Sequence, residues 1–389
     1  MGWALVAYFC IFAYGLCDNS RGPIFPDLLR DFSLSDSMGS MFFLVASGAA
    51  LLNNLFSIGL MERKGALWAV KFYCLLQVAG FLFIGFSSSF LCVLIGSAIF
   101  GASLGGNGIA VNILIAEASP IRLRRQMLAG LHCLYGLSSL LAPFFVTFMY
   151  HFGFGWKIAL ACLSVGPALV LAFAFLPMAR ATEEAGVERN LADPIHPKKQ
   201  PMIKRPWRSA MYYSTIISLY VVAELTISTR LVLFARRDGG YSVDHANLLL
   251  SGFFLALFLG RFAFAVFKIP LRNRVILRLS AATGIICFAL GILVSPLWLS
   301  VTGLAFSLFY PGAIAYINDE MPATEAAFVT SWGVTLQNLA LVLMQFTLGE
   351  LADRFSLGRA LWLGPVCLAV SLGLLLIRPG ENRLFREPR

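Results

Sequence analysis

Twelve long apolar runs in the 389-residue sequence constrain its fold more than any other feature. Crossing the ~30 Å hydrocarbon core of a bilayer takes about 20 apolar residues in a helix that rises 1.5 Å per residue. A lipid-exposed backbone must satisfy its own hydrogen bonds, so runs of this length indicate helices. Charged residues make up only 13% of the chain, which excludes an ordinary soluble protein and a disordered one. The sequence therefore predicts an all-α, polytopic membrane protein.

The predicted spans form two sets of six. They cover residues 3–24, 38–60, 66–86, 90–116, 127–150, 156–176, 209–234, 246–267, 276–294, 296–317, 327–348 and 360–377. Residues 178–208 between the sets are polar and rich in proline, which is typical of a linker. The halves repeat weakly at an offset of roughly 200 residues, as parallel repeats do. We therefore expect two pseudo-symmetric six-helix bundles, 1–177 and 209–389, joined by a cytoplasmic linker.

Basic residues predict the orientation of these spans. Most of the 30 lysines and arginines fall in the loops on the side of the termini, and positive loops stay in the cytoplasm. We expect a multi-pass protein of the cell (inner) membrane with both termini cytoplasmic. The net charge of +10 is then a property of these loops and does not indicate a nucleic-acid partner. The first run contains Asp18 and lacks a basic leader, so it is predicted to be a retained span, not a signal peptide.

The eight cysteines lie inside apolar runs and form no CxxC pair. This pattern is typical of small buried side chains, not of disulfides or metal ligands.

Two short strings connect this span pattern to a known family. GLMERKG stands at 59–65 between predicted spans two and three, and GELADR stands at 349–354. With twelve spans and a central linker, they resemble the major facilitator superfamily, whose corresponding loop reads GxxxDRxGRR. Here the acid is Glu62, and the final arginine pair is missing. The resemblance implies secondary transport by alternating access, with the two bundles rocking around a midplane site, and gating roles for Glu62 and Arg63.

Further strings resemble the sugar-type branch of that superfamily, which includes fucose–proton symporters. They are YGLCDN at 14–19, GASLGGNGIAVN at 101–112, LHCLYGL at 131–137 and the Gly260-Arg261 pair. The resemblance implies a proton-coupled symporter for a sugar-like solute. One departure is Gly108, which stands where the branch usually carries a carboxylate four residues before Asn112. The glycine-rich antiport signature of span five is also absent.

Two carboxylates within the predicted spans are the candidates for proton coupling. An ionisable group at the bilayer centre costs about 2.5–3.5 kcal/mol on insertion scales, so it usually faces a cavity or a partner. Asp18 in span one can take up a proton on one side and release it on the other, or bind a solute hydroxyl. The alternative is a structural ion pair with Arg21, three residues later on the same helix face. Glu224, midway along span seven, is the second candidate and can replace the carboxylate missing at Gly108.

Polar side chains in the spans are candidates for solute binding and gating. Amides offer both donors and acceptors, as polyols require, although interhelical hydrogen bonds explain them equally well. The binding candidates are Asn19, Asn53, Asn107, Asn112, His132, Tyr135, Tyr310, Gln337 and Asn338. A packing role is the alternative for His132 and Tyr310. The gating candidates are Arg21, Glu62, Arg63, Glu117 and Arg261.

Enzymatic signatures are missing from the sequence. It contains no HExxH, Walker or GxSxG string and no Cys/His metal spacing, so we predict no catalytic residues, metal or cofactor. The expected partners are a small solute, protons and membrane lipids, and a monomer suffices. The alternatives are a carrier or flippase for an amphipathic or lipidic substrate, a drug efflux antiporter, and a membrane-embedded enzyme acting on a lipid-linked substrate. A carrier for a lipidic substrate would have an apolar slot open to lipid, whereas a transporter of a polar solute would have a polar cavity.

Overall fold

A computed structural model describes residues 2–120, 123–176, 206–267 and 270–377. These residues form helices and no strands, which confirms the predicted all-α class. Eleven helical stretches are long and apolar enough to cross a membrane. The first predicted span, 3–24, is not among these eleven and corresponds to the two helices that hold Asp18 and Arg21.

The helices divide between two compact units, Met1–Pro201 and Met202–Arg389. The first unit contains α1 Gly2–Asn19, α2 Arg21–Asp31, α3 Asp36–Lys64, α4 Ala66–Gly85, α5 Phe90–Ala118, α6 Arg124–His151, α7 Trp156–Leu163 and α8 Val165–Ala174. The second contains α9 Trp207–Arg237, α10 Val243–Val266, α11 Asn273–Leu293, α12 Leu297–Phe306, α13 Phe309–Glu320, α14 Ala323–Arg354, α15 Leu357–Ala360 and α16 Leu363–Leu376.

The predicted linker 178–208 lies outside the described residues except for 206–208. The bundle boundaries at 177 and 209 therefore stay predictions.

Proline splits four of the predicted spans into two helices each. A proline ring lacks the N–H donor and clashes with the carbonyl four residues earlier, which interrupts a helix at that point. The prolines and the positions four residues before them are Pro23 with Asn19, Pro167 with Leu163, Pro311 with Ser307, and Pro365 with Leu361. The break in the first span places polar residues at a helix junction, where backbone groups and side chains can meet.

Glycines let the helices of the first unit approach closely. A Cβ on Gly101 of α5 would collide with the backbone of Ala46 on α3, and one on Gly15 of α1 would collide with Ser138 on α6. A Cβ on Gly80 of α4 would lie 2.8 Å from the backbone nitrogen of Phe100. The glycine-rich run around Gly101 therefore packs helices together, as small residues do in membrane proteins. The contact at Gly15 brings the end of α1 against α6.

The string GLMERKG is helical, and this corrects its predicted placement in a loop. Helix α3 continues to Lys64, so Glu62 and Arg63 lie in its last turn with exposed side chains. The chain turns at Gly65, whose φ of 85° is favoured in glycine because a side chain would be strained there. The connection between α3 and α4 is therefore a single residue.

Candidate functional site

An ion pair in the first unit spans the junction between α1 and α2. The Arg21 guanidinium binds the Asp18 carboxylate through Nη2, and its Nε donates to the Asp18 carbonyl oxygen at 3.1 Å. The Arg21 side chain is 10% exposed and that of Asp18 is 19% exposed. The spacing of three residues predicted this pair as the alternative to proton coupling, and the helix break allows Arg21 to bind the side chain and backbone of Asp18 together.

Tyr135 and Asn19 complete the hydrogen bonding around this pair. The Tyr135 hydroxyl donates to Oδ2 of Asp18 at 3.1 Å. Asn19 Nδ2 donates to Ser139 Oγ and to the Gly15 carbonyl, both at 2.9 Å, and lies 3.4 Å from the Tyr135 hydroxyl. The structure thus brings together the predicted residues Asp18, Asn19 and Tyr135. Ser139 was missed because a serine in an apolar helix resembles ordinary packing.

Two aromatic rings enclose the other side of Arg21. Its Cζ lies 5.4 Å from the Phe43 ring centroid on α3 and 5.1 Å from the Phe100 centroid on α5. Such contacts contribute about 0.5–2 kcal/mol, and more when the cation is desolvated. Arg21, predicted as a gating residue, is therefore held by a carboxylate, a carbonyl and two rings. We call Asp18, Arg21, Asn19 and Tyr135 the closed cluster.

A second ion pair, in the other unit, joins two separate helices. Glu224 of α9 and Arg261 of α10 are 3.5 Å apart between Oε1 and Nη2. The Glu224 side chain is 15% exposed, whereas that of Arg261 is 37% exposed. Tyr220 lies one turn before Glu224, with its hydroxyl within reach of both charged groups. That hydroxyl also donates to the Phe306 carbonyl at 3.0 Å.

Tyr310 and Gln337 lie near this second pair. Tyr310 of α13 is within electrostatic range of Glu224 and Arg261, and its hydroxyl interacts with the Gln337 side chain of α14. We call Glu224, Arg261, Tyr310 and Gln337 the open cluster. All four are candidates predicted from the sequence, but no sequence pattern indicated that they meet.

Four of the predicted binding amides join neither cluster in the contacts observed. Asn53 donates to the Tyr73 hydroxyl at 3.1 Å, and Asn107 accepts from the Cys10 thiol at 3.3 Å. Asn112 and Asn338 donate to carbonyls one turn earlier in their own helices, at 2.7 and 3.1 Å. The contacts of Asn53 and Asn107 are interhelical, as the alternative expects, whereas the binding roles of Asn112 and Asn338 stay predictions.

The remaining predicted residues lie at helix ends or on the surface. Glu117 is half-buried in the last turn of α5. His132 is exposed on α6, one turn before Tyr135 of the closed cluster.

Two buried charged residues, Arg230 and Asp27, are not among the predicted site residues. Arg230 is among the largest fully enclosed side chains and donates to Gln345 Oε1 at 2.8 Å. Asp27 accepts from the Tyr150 hydroxyl at 2.8 Å and pairs with Arg30 at 3.1 Å. The signals were available, because apolar residues follow Arg230 in its helix and Asp27 stands three residues before Arg30, as Asp18 does before Arg21.

Comparisons with known proteins decide the family. The sequence pattern of the Major Facilitator Superfamily matches residues 7–343. The chain belongs to this superfamily of transporters. It is also 29% identical over 184 residues to Sugar transporter ERD6-like 16 of Arabidopsis thaliana. That match covers 46% of this chain, which spans only 36% of the length of the relative.

Solved structures of transporters share the fold. A peptide transporter, POT, in complex with sulfate is 13% identical with a TM-score of 0.73, covering 96% of this chain and 93% of that one. A mutant of the nucleoside transporter NupG is 13% identical with a TM-score of 0.72, covering 96% and 99%. A bacterial homolog of the human lysosomal transporter Spinster is 14% identical with a TM-score of 0.67, covering 96% of each chain. These similarities confirm the predicted fold class.

Proposed function

We propose that this superfamily member is a secondary active transporter that moves a small polar, sugar-like solute by alternating access, coupled to protons. Its proposed location is the cell inner membrane, with both termini cytoplasmic. The family supports transport, and the partial similarity to a plant sugar transporter supports the solute class. We place Glu224 first and Asp18 second as the coupling carboxylates.

The geometry of the Glu224–Arg261 pair carries this proposal. A charge-assisted hydrogen bond between nitrogen and oxygen is usually about 2.7–2.9 Å long, so the 3.5 Å separation leaves the pair loosely joined. Protonation of Glu224 removes its charge and releases Arg261, which is already partly exposed. A proton can thereby change which conformational state is favoured, because each state binds it differently.

The neighbours of this pair favour a solute rich in hydroxyl groups. The Gln337 amide offers a donor and an acceptor, and the Tyr310 hydroxyl offers the same. Arg261 adds donors that become available to a solute when protonation of Glu224 weakens the hydrogen bond between the two side chains. An uncharged polyol can satisfy such a mixed set, whereas a purely apolar substrate would leave it unpaired at a cost of about 1–3 kcal/mol per group.

Asp18 is the weaker coupling candidate because Arg21 and Tyr135 already bind its two carboxylate oxygens. A proton entering there must displace the Arg21 guanidinium and the Tyr135 hydroxyl from a mostly buried carboxylate. The observed contacts support a positioning role for the closed cluster, at the point where α1 gives way to α2.

Reconstitution in liposomes tests the proposal. Glu224→Gln is expected to abolish accumulation driven by an imposed pH gradient while preserving exchange of labelled solute across the membrane. Glu350→Gln is the matched control, because it makes the same change at an exposed carboxylate of α14. Full gradient-driven accumulation by Glu224→Gln would remove Glu224 from the coupling role.

The solute itself is found by thermal-shift screening at two pH values. A ligand that binds only the folded protein raises its melting temperature by mass action. Sugars are expected to stabilise the protein more than nucleosides, amino acids or lysolipids. Stabilisation by lysolipids alone would favour the lipidic carrier instead.

A further inference from the structure

A buried thiol pair lies inside the first unit and shares no residue with the closed cluster. The Cys10 sulfur of α1 is 3.6 Å from the Cys74 sulfur of α4, and both residues are fully enclosed. The Cys10 thiol also lies 3.3 Å from the carboxamide oxygen of Asn107 on α5. All eight cysteines belong to the described part of the chain. Among them, Cys10 and Cys74 are the two whose sulfurs are in contact.

The surroundings of the pair restrict the chemistry it can perform. A metal ion would find only two protein ligands here, fewer than the four that zinc takes in structural sites, because the described residues hold no group of three or more potential ligands. A direct disulfide would require the sulfurs to close from 3.6 Å to about 2.05 Å. A neutral reagent that inserts one atom between the sulfurs avoids buried charge and needs less movement of the helices.

We propose that Cys10 and Cys74 form a dithiol site for neutral trivalent arsenicals. With phenylarsine oxide, the arsenic–oxygen bond breaks and two arsenic–sulfur bonds form. The oxygen leaves as water with the two thiol protons. Arsenic stays trivalent, so no oxidant or reductant is needed. The Asn107 Nδ2 group, which is buried and has no hydrogen-bond partner in the described structure, can donate to the departing oxygen.

The bridge would join two helices that the chain itself does not link closely. Cys10 lies eight residues before Asp18 on α1, and Cys74 lies near the middle of α4. Arsenical binding would therefore fasten the helix that ends in the closed cluster to its neighbour. We expect the bridged protein to unfold at a higher temperature, because the link restricts the unfolded chain.

The test treats the full-length protein with phenylarsine oxide and measures intact mass and free thiols after unfolding. The expected result is a gain of one phenylarsenic group with a loss of two thiols, reversed by dimercaptopropanol but not by a monothiol. Cys10→Ser and Cys74→Ser are each expected to abolish this adduct. Cys17→Ser is the matched control, because Cys17 is a buried thiol of the same helix that contacts the Leu163 carbonyl instead.

Three results would overturn the proposal. They are no dithiol-reversible adduct on the folded wild-type protein, an undiminished adduct on Cys10→Ser or Cys74→Ser, and an equal loss of adduct on Cys17→Ser. Thermal unfolding of each untreated variant verifies that it is folded. Cys10→Ala replaces Cys10→Ser where the serine variant fails that check.

Discussion

The two ion pairs of this transporter use the same chemical groups in opposite ways. Asp18 and Arg21 are three residues apart at a helix junction, and their exposed fractions are 19% and 10%. Glu224 and Arg261 come from separate helices, and their exposed fractions are 15% and 37%, so the two pairs differ in the exposure of the arginine. The first pair is closed by Tyr135 and by aromatic rings, whereas the second keeps one partner accessible.

This difference indicates that residue type alone does not assign a role to an intramembrane charge. A carboxylate whose two oxygens are both bound stabilises the fold, because removing it leaves a buried cation without its counter-charge. A carboxylate with a loosely held partner can exchange that partner for a proton at low cost. The stability and transport of matched variants can therefore separate the two clusters.

The largest loss of stability is expected for Asp18→Asn. Removing one partner of a buried ion pair costs about 3–5 kcal/mol, because the remaining charge is left uncompensated. The free energy of unfolding in detergent, measured by denaturant titration, should fall by this amount. The double variant Asp18→Asn/Arg21→Gln should recover part of the loss. A loss confined to gradient-driven uptake, with stability unchanged, would instead return Asp18 to the coupling role.

Tyr135→Phe is expected to have the next largest effect. It removes the hydroxyl that donates to Asp18 and retains the ring. Hydrogen bonds to charged groups contribute about 1.5–3 kcal/mol, so the melting temperature should fall clearly but less than for Asp18→Asn. Tyr310→Phe is the matched change in the open cluster, where the hydroxyl is not bound to a carboxylate. Equal losses from both variants would contradict the distinction between the clusters.

The fold was predictable from the sequence because run length and lipid physics leave few options. The proline breaks were only partly predictable, because Pro143 lies inside the continuous helix α6, whereas four other prolines each follow a break between helices. The Asp18–Arg21 pair could be read from its spacing. Glu224 and Arg261 are 37 residues apart, and only tertiary packing reveals that they meet. The sequence could not decide between a binding and a structural role for Asn112, because the acceptor of its amide is a backbone carbonyl that no sequence pattern marks.

Glu224→Gln is expected to change stability little and transport greatly. The Arg261 side chain is 37% exposed and stays hydrated when its partner is removed, so the free energy of unfolding should shift by about 0–1 kcal/mol, as for exposed ion pairs. Gradient-driven uptake should be lost while exchange continues, as proposed above. A destabilisation as large as that of Asp18→Asn would show that the open cluster is structural as well.

The smallest effect is expected at the exposed pair of Glu350 and Arg354 near the end of α14. Their side chains are 36% and 73% exposed, yet their 3.2 Å separation is shorter than that of Glu224 and Arg261. Exposed pairs spaced by four residues in a helix contribute only about 0.3–0.5 kcal/mol, because water competes with the partner. Glu350→Gln should therefore shift the free energy of unfolding by no more than this, and the shift should shrink further at high salt. If it instead cost as much as Asp18→Asn, then interatomic distance and not enclosure would rank these pairs, and the contrast between the closed and open clusters would lose its physical basis.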